Sequence, residues 1–208
     1  EDKEAISGTR EPNEDERVRS ASLFLALNKV GYRGMFRLSD QGKFNIPYGN
    51  KEEIKIAHKS SLESTSQALQ GVEINCGSYE EVLPPNKEID PKTSFIYLDP
   101  PYIPNSESAS FTDYSKEGFE EEEHIKLAEV FQGLVDGGYK VLLSNNNNKE
   151  AIEKYVKGTK NTFAYEVMVA RNIAPTQEKK EGDGTRPKVS EIIVSSFNLD
   201  NLGLSRIE

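Results

Sequence analysis

The chain has 208 residues, of which 35% are hydrophobic and 29% charged, and a formal net charge of -9 at pH 7. This length suits one domain with a small appendage, and the composition is polar but within the range of folded proteins. No apolar run is long enough for a membrane span, and the lone Cys76 leaves no intrachain disulfide and favours a reducing compartment. His58 and His124 stand too far apart to form a metal-binding motif, so we expect no metal site.

Positive charge is concentrated between residues 29 and 59, although the chain as a whole is acidic. Seven Lys and Arg residues stand against three acidic residues in that segment, a local excess of four. The negative total disfavours indiscriminate nucleic-acid binding. Charge alone leaves two interpretations of the basic segment open, a solvated face or a binding surface.

Apolar periodicity and polar composition predict four helices, at residues 17–29, 52–69, 120–135 and from a polar turn at 145–148 to about 156. Asn13 or Asp15 is available as the N-cap of the first helix. Between the first two helices, glycines and turn residues predict a β-hairpin with arms 35–38 and 43–46. His124 falls within the third helix, where we expect a structural role.

Short apolar runs predict strands at residues 72–76, 95–98, 139–144, 162–170 and 190–197. The strand 95–98 is short, aromatic and aliphatic, which predicts burial on both faces. The last two strands flank a loop of Pro, Gly, Thr and Lys that we expect to be mobile. The element order predicts an α/β fold ending in an antiparallel hairpin, with a region 1–70 and a second region 71–208.

The strand 95–98 is followed by Asp99, Pro100, Pro101 and Tyr102. Two prolines cannot continue a hydrogen-bonded ladder, so the chain leaves the sheet at Asp99. In open α/β sheets, ligands bind in the crevice beyond the carboxyl ends of the strands, which is where Asp99 would lie. A carboxylate and a backbone carbonyl can accept hydrogen bonds from an aromatic amine and expose its nitrogen lone pair to methyl transfer. Tyr102 offers a face on which a base flipped from a duplex can stack. A plain turn after a strand is the alternative interpretation.

Asp99 to Tyr102 matches the catalytic tetrapeptide of S-adenosylmethionine-dependent amino-methyltransferases, and the chain resembles the Dam-type DNA adenine methyltransferases in particular. The matching segments follow the family's order from about residue 17 to 197; they are 27–29, 31–37, 42–49, 111–114, Phe119, His124, 142–145, 171–173, 184–186, Lys188 and Glu191. The resemblance implies an α/β, Rossmann-like class I methyltransferase sheet with a small helical and β-hairpin insertion for target recognition.

The resemblance also implies roles for individual residues. The tetrapeptide from Asp99 to Tyr102 would hold the target adenine, and Asp99 would also lie beside the methionine end of the cofactor, S-adenosylmethionine. Ser78 and Tyr79 match the position that contacts the cofactor's adenine. The residues at matching DNA-binding positions are Lys29, Tyr32, Arg33, Arg37 and Asn45. An Arg can bind guanine bidentately, whereas lysines mainly contact phosphates.

The function that the resemblance implies is site-specific N6 methylation of adenine in double-stranded DNA, by base flipping and direct transfer. We expect the protein to lie in the cytoplasm, nucleoid or nucleus, wherever its target DNA lies. Arg33 stands where members that read GATC commonly carry Asn, so GATC and another palindrome such as CATG both remain open. Core packing of Tyr32 and a surface ion pair of Arg37 are the competing interpretations of those residues.

The chain departs from the family in its cofactor motif. The Lys-Trp-x-Gly-Gly-Lys segment, the Phe-x-Gly-x-Gly turn and the acidic residue that holds the ribose are not found in this sequence. We therefore expect the chain to start about a third of the way into such an enzyme, as one piece of a split or cleaved enzyme, a fragment, or a non-catalytic DNA-binding or regulatory relative. The first interpretation predicts an N-terminal complementing polypeptide that carries the glycine-rich motif and covers exposed sheet edges.

Overall fold

A computed structural model describes residues 12–39, 41–50, 54–83, 89–105, 119–170 and 188–207. It divides into a first unit that ends at Asn75 and a second that begins at Cys76, whereas the sequence predicted a boundary between residues 70 and 71. The loop predicted to be mobile, from 171 to 187, lies outside the described residues, as does the matched segment 111–114.

Helix α1, Glu14–Val30, opens the described part of the first unit. Of the two predicted N-cap candidates, Asn13 and Asp15, Asn13 is the N-cap: Asn13 Oδ1 accepts from the Glu16 amide at 3.0 Å, and the Asn13 amide donates to the Glu16 carboxylate at 2.9 Å. This capping box and the acidic first turn stabilise the positive end of the helix dipole. The helix therefore begins three residues before the first residue of the predicted segment 17–29.

The predicted hairpin arms pair through an isolated bridge and a few hydrogen bonds rather than a continuous ladder. Leu38 pairs with Phe44, and the Gly42 amide donates to the Ser39 carbonyl at 2.7 Å. Gly42 has φ 71°, a left-handed conformation that glycine adopts without steric cost. The turn residues therefore do what the sequence predicted, although the arms remain irregular.

An aromatic cluster attaches the hairpin to α1. The ring centroids of Phe24 on α1 and Phe36 on the first arm lie 4.8 Å apart, and those of Phe36 and Phe44 lie 5.6 Å apart. Tilted ring pairs at such distances add to the free energy of apolar burial. These three rings fix the hairpin within the first unit.

Two predictions for the rest of this unit need correction. Helix α2 spans Lys59–Ala68, shorter than the predicted 52–69, because described residues 54–58 are not helical. The predicted strand 72–76 is wrong. Its residues pair with no other described strand, and the Ile74 side chain is 75% exposed. An alternating pattern forms a strand only where a neighbouring backbone satisfies its hydrogen bonds.

The second unit is a mixed sheet with helices. Its helices are α3 (Tyr79–Val82), α4 (Glu121–Asp136) and α5 (Lys149–Ala151), the last continuing as a π-helical turn, Ile152–Lys157. Its strands are β1 (Phe95–Leu98), β2 (Lys140–Asn146), β3 (Phe163–Ala170), β4 (Lys188–Ser195) and β5 (Ser205–Ile207).

The strand order is β1-β2-β4-β3-β5, in which β1 and β2 are parallel and the other pairs are antiparallel. The predicted α/β class and the late antiparallel hairpin, β3 with β4, are confirmed. The three-residue strand β5 was not predicted. It is too short to show an apolar pattern, and its pairing with β3 is long-range.

Strand β1 is an edge of the described sheet, which corrects the prediction that it is buried on both faces. Leu98 is buried, but Phe95 is 58% exposed and Tyr97 54% exposed. These two residues share one face because side chains alternate along a strand. A four-residue apolar run cannot by itself distinguish a central strand from an edge strand.

The core lies between α4 and the central strands. The apolar residues of this cluster on α4 and on strands β2 and β4 are at most 3% exposed; they are Leu127, Phe131, Leu134, Val141, Leu143, Ile192 and Val194. Each such side chain contributes roughly 1.5–3 kcal/mol through burial. This packing holds β2 in place, and β2 positions the site described below.

His124 on α4 is buried in the same core, as expected for a structural residue. Its Nδ1 lies 2.6 Å from the Tyr155 hydroxyl, and both side chains are at most 3% exposed. Burial, aided by the nearby Lys154 charge, lowers the pKa of His124 to about 4, against an opposing effect of Glu123. The imidazole is therefore neutral in the folded protein at neutral pH.

The low pKa of His124 predicts acid-sensitive stability. In the unfolded chain this group takes up a proton near its ordinary pKa of 6.5, whereas the folded chain resists protonation to about pH 4. Its contribution is thus complete above pH 6.5 and falls as the pH drops from 6.5 to 4, by roughly 3 kcal/mol at most. In denaturant unfolding across this pH range, the free energy of unfolding of His124→Gln should fall less steeply with decreasing pH than that of wild type. The exposed His58→Gln should not, and equal slopes in all three proteins would contradict the assignment.

Candidate functional site

Asp99 leaves β1 beside the end of β2, and a hydrogen-bond chain fixes its carboxylate. The register pairs Leu98 with Leu143, so the next residue on each strand, Asp99 and Ser144, are neighbours. Ser144 Oγ donates to Asp99 Oδ1 at 2.8 Å, and Tyr97 Oη lies 3.0 Å from Ser144 Oγ. Because a serine has one hydroxyl proton, the Tyr97 hydroxyl is the donor to Ser144. The carboxylate is thereby oriented while Asp99 itself stays exposed.

Tyr102 is held by a hydrogen bond to a residue of β4, the strand that pairs with β2 on the side away from β1. Its hydroxyl donates to Glu191 Oε2 at 3.3 Å, and Glu191 is paired in register with Asn146 at the end of β2. Burial raises the pKa of Tyr102 to about 12, and the Glu191 and Asp99 carboxylates add to this effect. Tyr102 is therefore a neutral, half-buried ring next to two carboxylates.

Asparagines at the end of β2 clamp the chain as it leaves the tetrapeptide. The amide of the buried Ile103 donates to Asn145 Oδ1 at 3.0 Å, and its carbonyl accepts from Asn146 Nδ2 at 2.6 Å and Asn148 Nδ2 at 3.0 Å. Asn148 Nδ2 also lies 3.3 Å from the Pro104 carbonyl. Both polar groups of the Ile103 backbone are satisfied by side chains, which fixes the direction of the loop.

Ser78 and Tyr79 lie at the start of α3, and the structure restricts how each could contact a ligand. Ser78 Oγ accepts from the Glu80 amide at 3.3 Å, so this hydroxyl caps α3. The Tyr79 hydroxyl is buried, has no hydrogen-bond partner among the described residues, and burial raises its pKa. Tyr79 packs against Phe119, with ring centroids 6.4 Å apart. It can therefore meet a ligand through its ring and not through its hydroxyl.

The predicted DNA-contacting residues lie together in the first unit, around the hairpin. Tyr32 is 43% exposed, which excludes the core-packing interpretation. Arg33 has φ 55°, and its guanidinium carbon lies 5.2 Å from the centroid of the Tyr32 ring. Arg37 Nε donates to Asn45 Oδ1 at 2.9 Å across the hairpin, and Lys29 is exposed in the last turn of α1. Arg37 is thus fixed by an amide.

Sequence reasoning missed the roles of Ser144, Glu191 and the asparagines. Residues 142–145 and Glu191 were noted only as part of the resemblance. The signal that could have identified them is the run of polar residues that follows an apolar strand, because parallel neighbours end at the same sheet edge as Asp99. Among the described residues, no group of three or more His, Cys, Asp or Glu side chains is placed to hold a metal ion.

A family model described as D12 class N6 adenine-specific DNA methyltransferase matches residues 2–177. The chain belongs to this family. The match covers most of the chain, including the Asp99 tetrapeptide, Ser78, Tyr79 and the hairpin. It confirms the family resemblance inferred from the sequence.

Curated relatives agree with this assignment. The chain is 32% identical over 185 residues to the type II methyltransferase M.MjaIII of Methanocaldococcus jannaschii, covering 89% of this chain and 60% of that protein. It is 31% identical over 182 residues to the type II methyltransferase M1.LlaDCHI of Lactococcus lactis, covering 86% and 59% respectively. It is 33% identical over 175 residues to the DNA adenine methylase of Escherichia coli K12, covering 84% and 58%. The chain thus spans less than two thirds of the length of these relatives.

The asparagine clamp yields a stability prediction. Asn145→Ala removes the acceptor of the Ile103 and Asn146 amides and should lower the free energy of unfolding by about 1–3 kcal/mol, because buried donors lose their partner. The matched control is Asn105→Ala, at an exposed residue that accepts only from Asn148 among the hydrogen bonds of the described residues; it should change stability by less than about 0.5 kcal/mol. Denaturant titration measures both, and hydrogen exchange at the Ile103 amide should accelerate only in Asn145→Ala.

Proposed function

We propose that this D12-class chain is the catalytic and DNA-reading portion of an S-adenosylmethionine-dependent N6 adenine methyltransferase that acts on duplex DNA. The observation that carries the proposal is the Asp99 carboxylate, exposed at the end of β1 and oriented by the buried Ser144 hydroxyl at 2.8 Å. Membership of the family supports the reaction type, and the geometry supports the residue roles.

Asp99 and the carbonyl of Pro100 accept hydrogen bonds from the exocyclic amine of the target adenine. These bonds draw the nitrogen toward a pyramidal geometry, so its lone pair can attack a methyl carbon. As the N–C bond forms, the bond from the methyl carbon to the sulfonium sulfur would break, and a neutral thioether would leave. The amine then loses its proton to water, and therefore Asp99 need not act as a strong base. Ser144 holds one carboxylate oxygen, which reduces the freedom that Asp99 would otherwise lose on binding the substrate.

The target base is flipped out of the duplex and stacks on Tyr102. Removing a base from the stack costs a few kcal/mol, which stacking on an aromatic side chain and hydrogen bonds to the base edge offset. The Glu191 carboxylate accepts a hydrogen bond from the Tyr102 hydroxyl, which holds the neutral ring at one angle. Tyr102 thus contributes a fixed stacking surface.

The residues present fit the cofactor that the family uses. S-adenosylmethionine, when bound, supplies an electrophilic methyl group on a positively charged sulfonium. The exposed Asp99 carboxylate suits the charged methionine end. The buried hydroxyl of Tyr79 leaves only its partly exposed ring for contact, which suits stacking on an adenine. Ser78 acts by capping α3 and so placing Tyr79.

The hairpin of the first unit is the proposed reader of the DNA sequence. Arg33 and Arg37 are the candidates for guanine contact, since a guanidinium can bind the guanine edge bidentately, and Lys29 is a candidate for a phosphate contact. The hydrogen bond from Arg37 to Asn45 supports a fixed orientation of that guanidinium. Tyr32 stacks beneath Arg33 and supports its side chain.

We further propose that full activity requires a polypeptide segment with a glycine-rich cofactor motif, which a complementing polypeptide can supply. The support within this chain is β1, which lies at the edge of the described sheet and whose Phe95 and Tyr97 side chains leave one face of it uncovered. An aromatic edge strand is a ready site for the pairing of another strand. The complex would act in the compartment that holds its DNA.

The first test replaces the proposed catalytic carboxylate. Asp99→Ala should lower the methylation rate by about 100- to 1,000-fold, because it removes one of two acceptors for the amine. The matched control is Asp136→Ala, at the end of α4, where the carboxylate accepts from Gln132 on the surface; it should retain activity. Methyl transfer to duplex DNA is measured for the chain alone and with the complementing polypeptide. Unchanged turnover in Asp99→Ala would refute the mechanism. A complex that binds DNA but neither binds S-adenosylmethionine nor methylates would be a non-catalytic relative.

The second test concerns sequence reading. Arg33→Ala should lower the discrimination between the cognate site and a single-mismatch site by about 1–3 kcal/mol, since a base contact is lost. Lys29→Ala should weaken binding to all duplexes alike and reduce the salt dependence by about one counterion. Fluorescence anisotropy with duplexes containing GATC, CATG and their mismatches measures both effects. Equal losses of specificity in the two variants would contradict the assigned roles.

A further inference from the structure

An aromatic cluster, with His124 and Tyr155 buried and Phe119 and Tyr79 partly buried, joins three helical elements of the second unit. His124 of α4 contacts Tyr155 of the π-helical turn through the 2.6 Å hydrogen bond, with ring centroids 5.9 Å apart. Phe119, just before α4, lies edge-on to His124 at 4.7 Å, and its other neighbour is Tyr79 at 6.4 Å. The rings therefore form a continuous path from Tyr155 to Tyr79.

The π-helical turn is the element that carries Tyr155 into this cluster. Residues 152–157 are π-helical, and Tyr155 is fully buried within them. A π-helical turn is rare and is frequently found at functional sites. The local backbone therefore indicates that the position of Tyr155 matters beyond filling the core.

The cluster contains two buried tyrosine hydroxyls, and their placement orients the rings that carry them. The hydroxyls of Tyr155 and Tyr79 are both buried, and the latter has no hydrogen-bond partner among the described residues. A buried unpaired hydroxyl carries a desolvation cost, so a native structure retains it where its placement is useful. Turning the Tyr79 hydroxyl inward leaves the ring as the part of this side chain that faces outward.

The charged groups around the cluster leave its members neutral. Lys154 and Glu123 are the charged side chains that act on His124, and Lys154 is engaged by Glu121 at 2.8 Å and Glu150 at 3.6 Å. Burial raises the pKa of Tyr155 above its ordinary value. The His124 imidazole and the Tyr155 phenol are thus both neutral and buried. A hydrogen bond in such an environment is directional, and either group would be costly to leave without a partner.

We propose that His124 and Tyr155 are positioning residues for the cofactor pocket, acting through Phe119 on the ring of Tyr79. This inference rests on the proposed function, in which that ring stacks on the adenine of S-adenosylmethionine. Loss of the His124–Tyr155 bond loosens Phe119 and then Tyr79, so the ring must be ordered when the cofactor binds. Affinity for the cofactor falls, while the methyl transfer centre at Asp99 stays intact.

The test uses matched removals of one buried hydroxyl, in the assembly that methylates DNA. Tyr155→Phe should weaken S-adenosylmethionine binding, measured by calorimetry, by about tenfold, with kcat at saturating cofactor within about twofold of wild type. Tyr165→Phe is the control. Its fully buried hydroxyl donates to Asp200 at 2.8 Å and accepts from the Leu199 amide at 2.9 Å, outside the cluster. It should lower thermal stability without changing cofactor affinity.

A second pair of variants keeps the test decisive if Tyr155→Phe does not fold. His124→Leu removes the bond and should weaken cofactor binding similarly, whereas His124→Asn places an amide near the position of Nδ1, where it can pair with the Tyr155 hydroxyl as donor or acceptor, and should restore most of the affinity. Equal cofactor affinity in wild type, Tyr155→Phe and His124→Leu would overturn the positioning role while leaving the proposed function in place. If wild type itself binds no S-adenosylmethionine, both proposals fail.

Discussion

The parallel pairing of β1 with β2 brings Asp99 and Ser144 to the same edge of the sheet. Because Leu98 is in register with Leu143, a shift of one residue would move Ser144 away from the carboxylate and turn Leu98 out of the core. The packing of α4 on β2 fixes that register. The orientation of the candidate catalytic group therefore depends on core residues that do not touch it.

Where the sheet ends, polar side chains rather than a neighbouring strand satisfy the hydrogen bonds of the backbone. The tetrapeptide contains two prolines, which lack amide protons, and the next residue, Ile103, is buried with both backbone groups bonded to asparagine side chains. A loop built this way is rigid without belonging to the sheet. Rigidity at this point suits the proposed role of the site, which is to hold an amine nitrogen in an unfavourable geometry.

Much of this arrangement could be predicted from local sequence. The position of Asp99 at a strand end, the Asn13 cap and the hairpin turn each depend on a few neighbouring residues with strong preferences. The exposure of Phe95, the absence of a strand at 72–76 and the bond between Tyr102 and Glu191 depend instead on which strands are neighbours. That information is long-range, because an apolar run looks the same at the edge and at the centre of a sheet.

Tyr97 links the exposed edge of β1 to the candidate catalytic carboxylate. Its ring lies on the exposed face of β1, while its hydroxyl donates to Ser144, which in turn donates to Asp99. Covering this face with another polypeptide segment would exclude water from the chain of hydrogen bonds and strengthen each of them. A complementing segment would then do more than complete a cofactor pocket, since it would also tighten the orientation of Asp99. Through the Tyr97 hydroxyl, the exposed face of β1 and the orientation of the Asp99 carboxylate are therefore coupled.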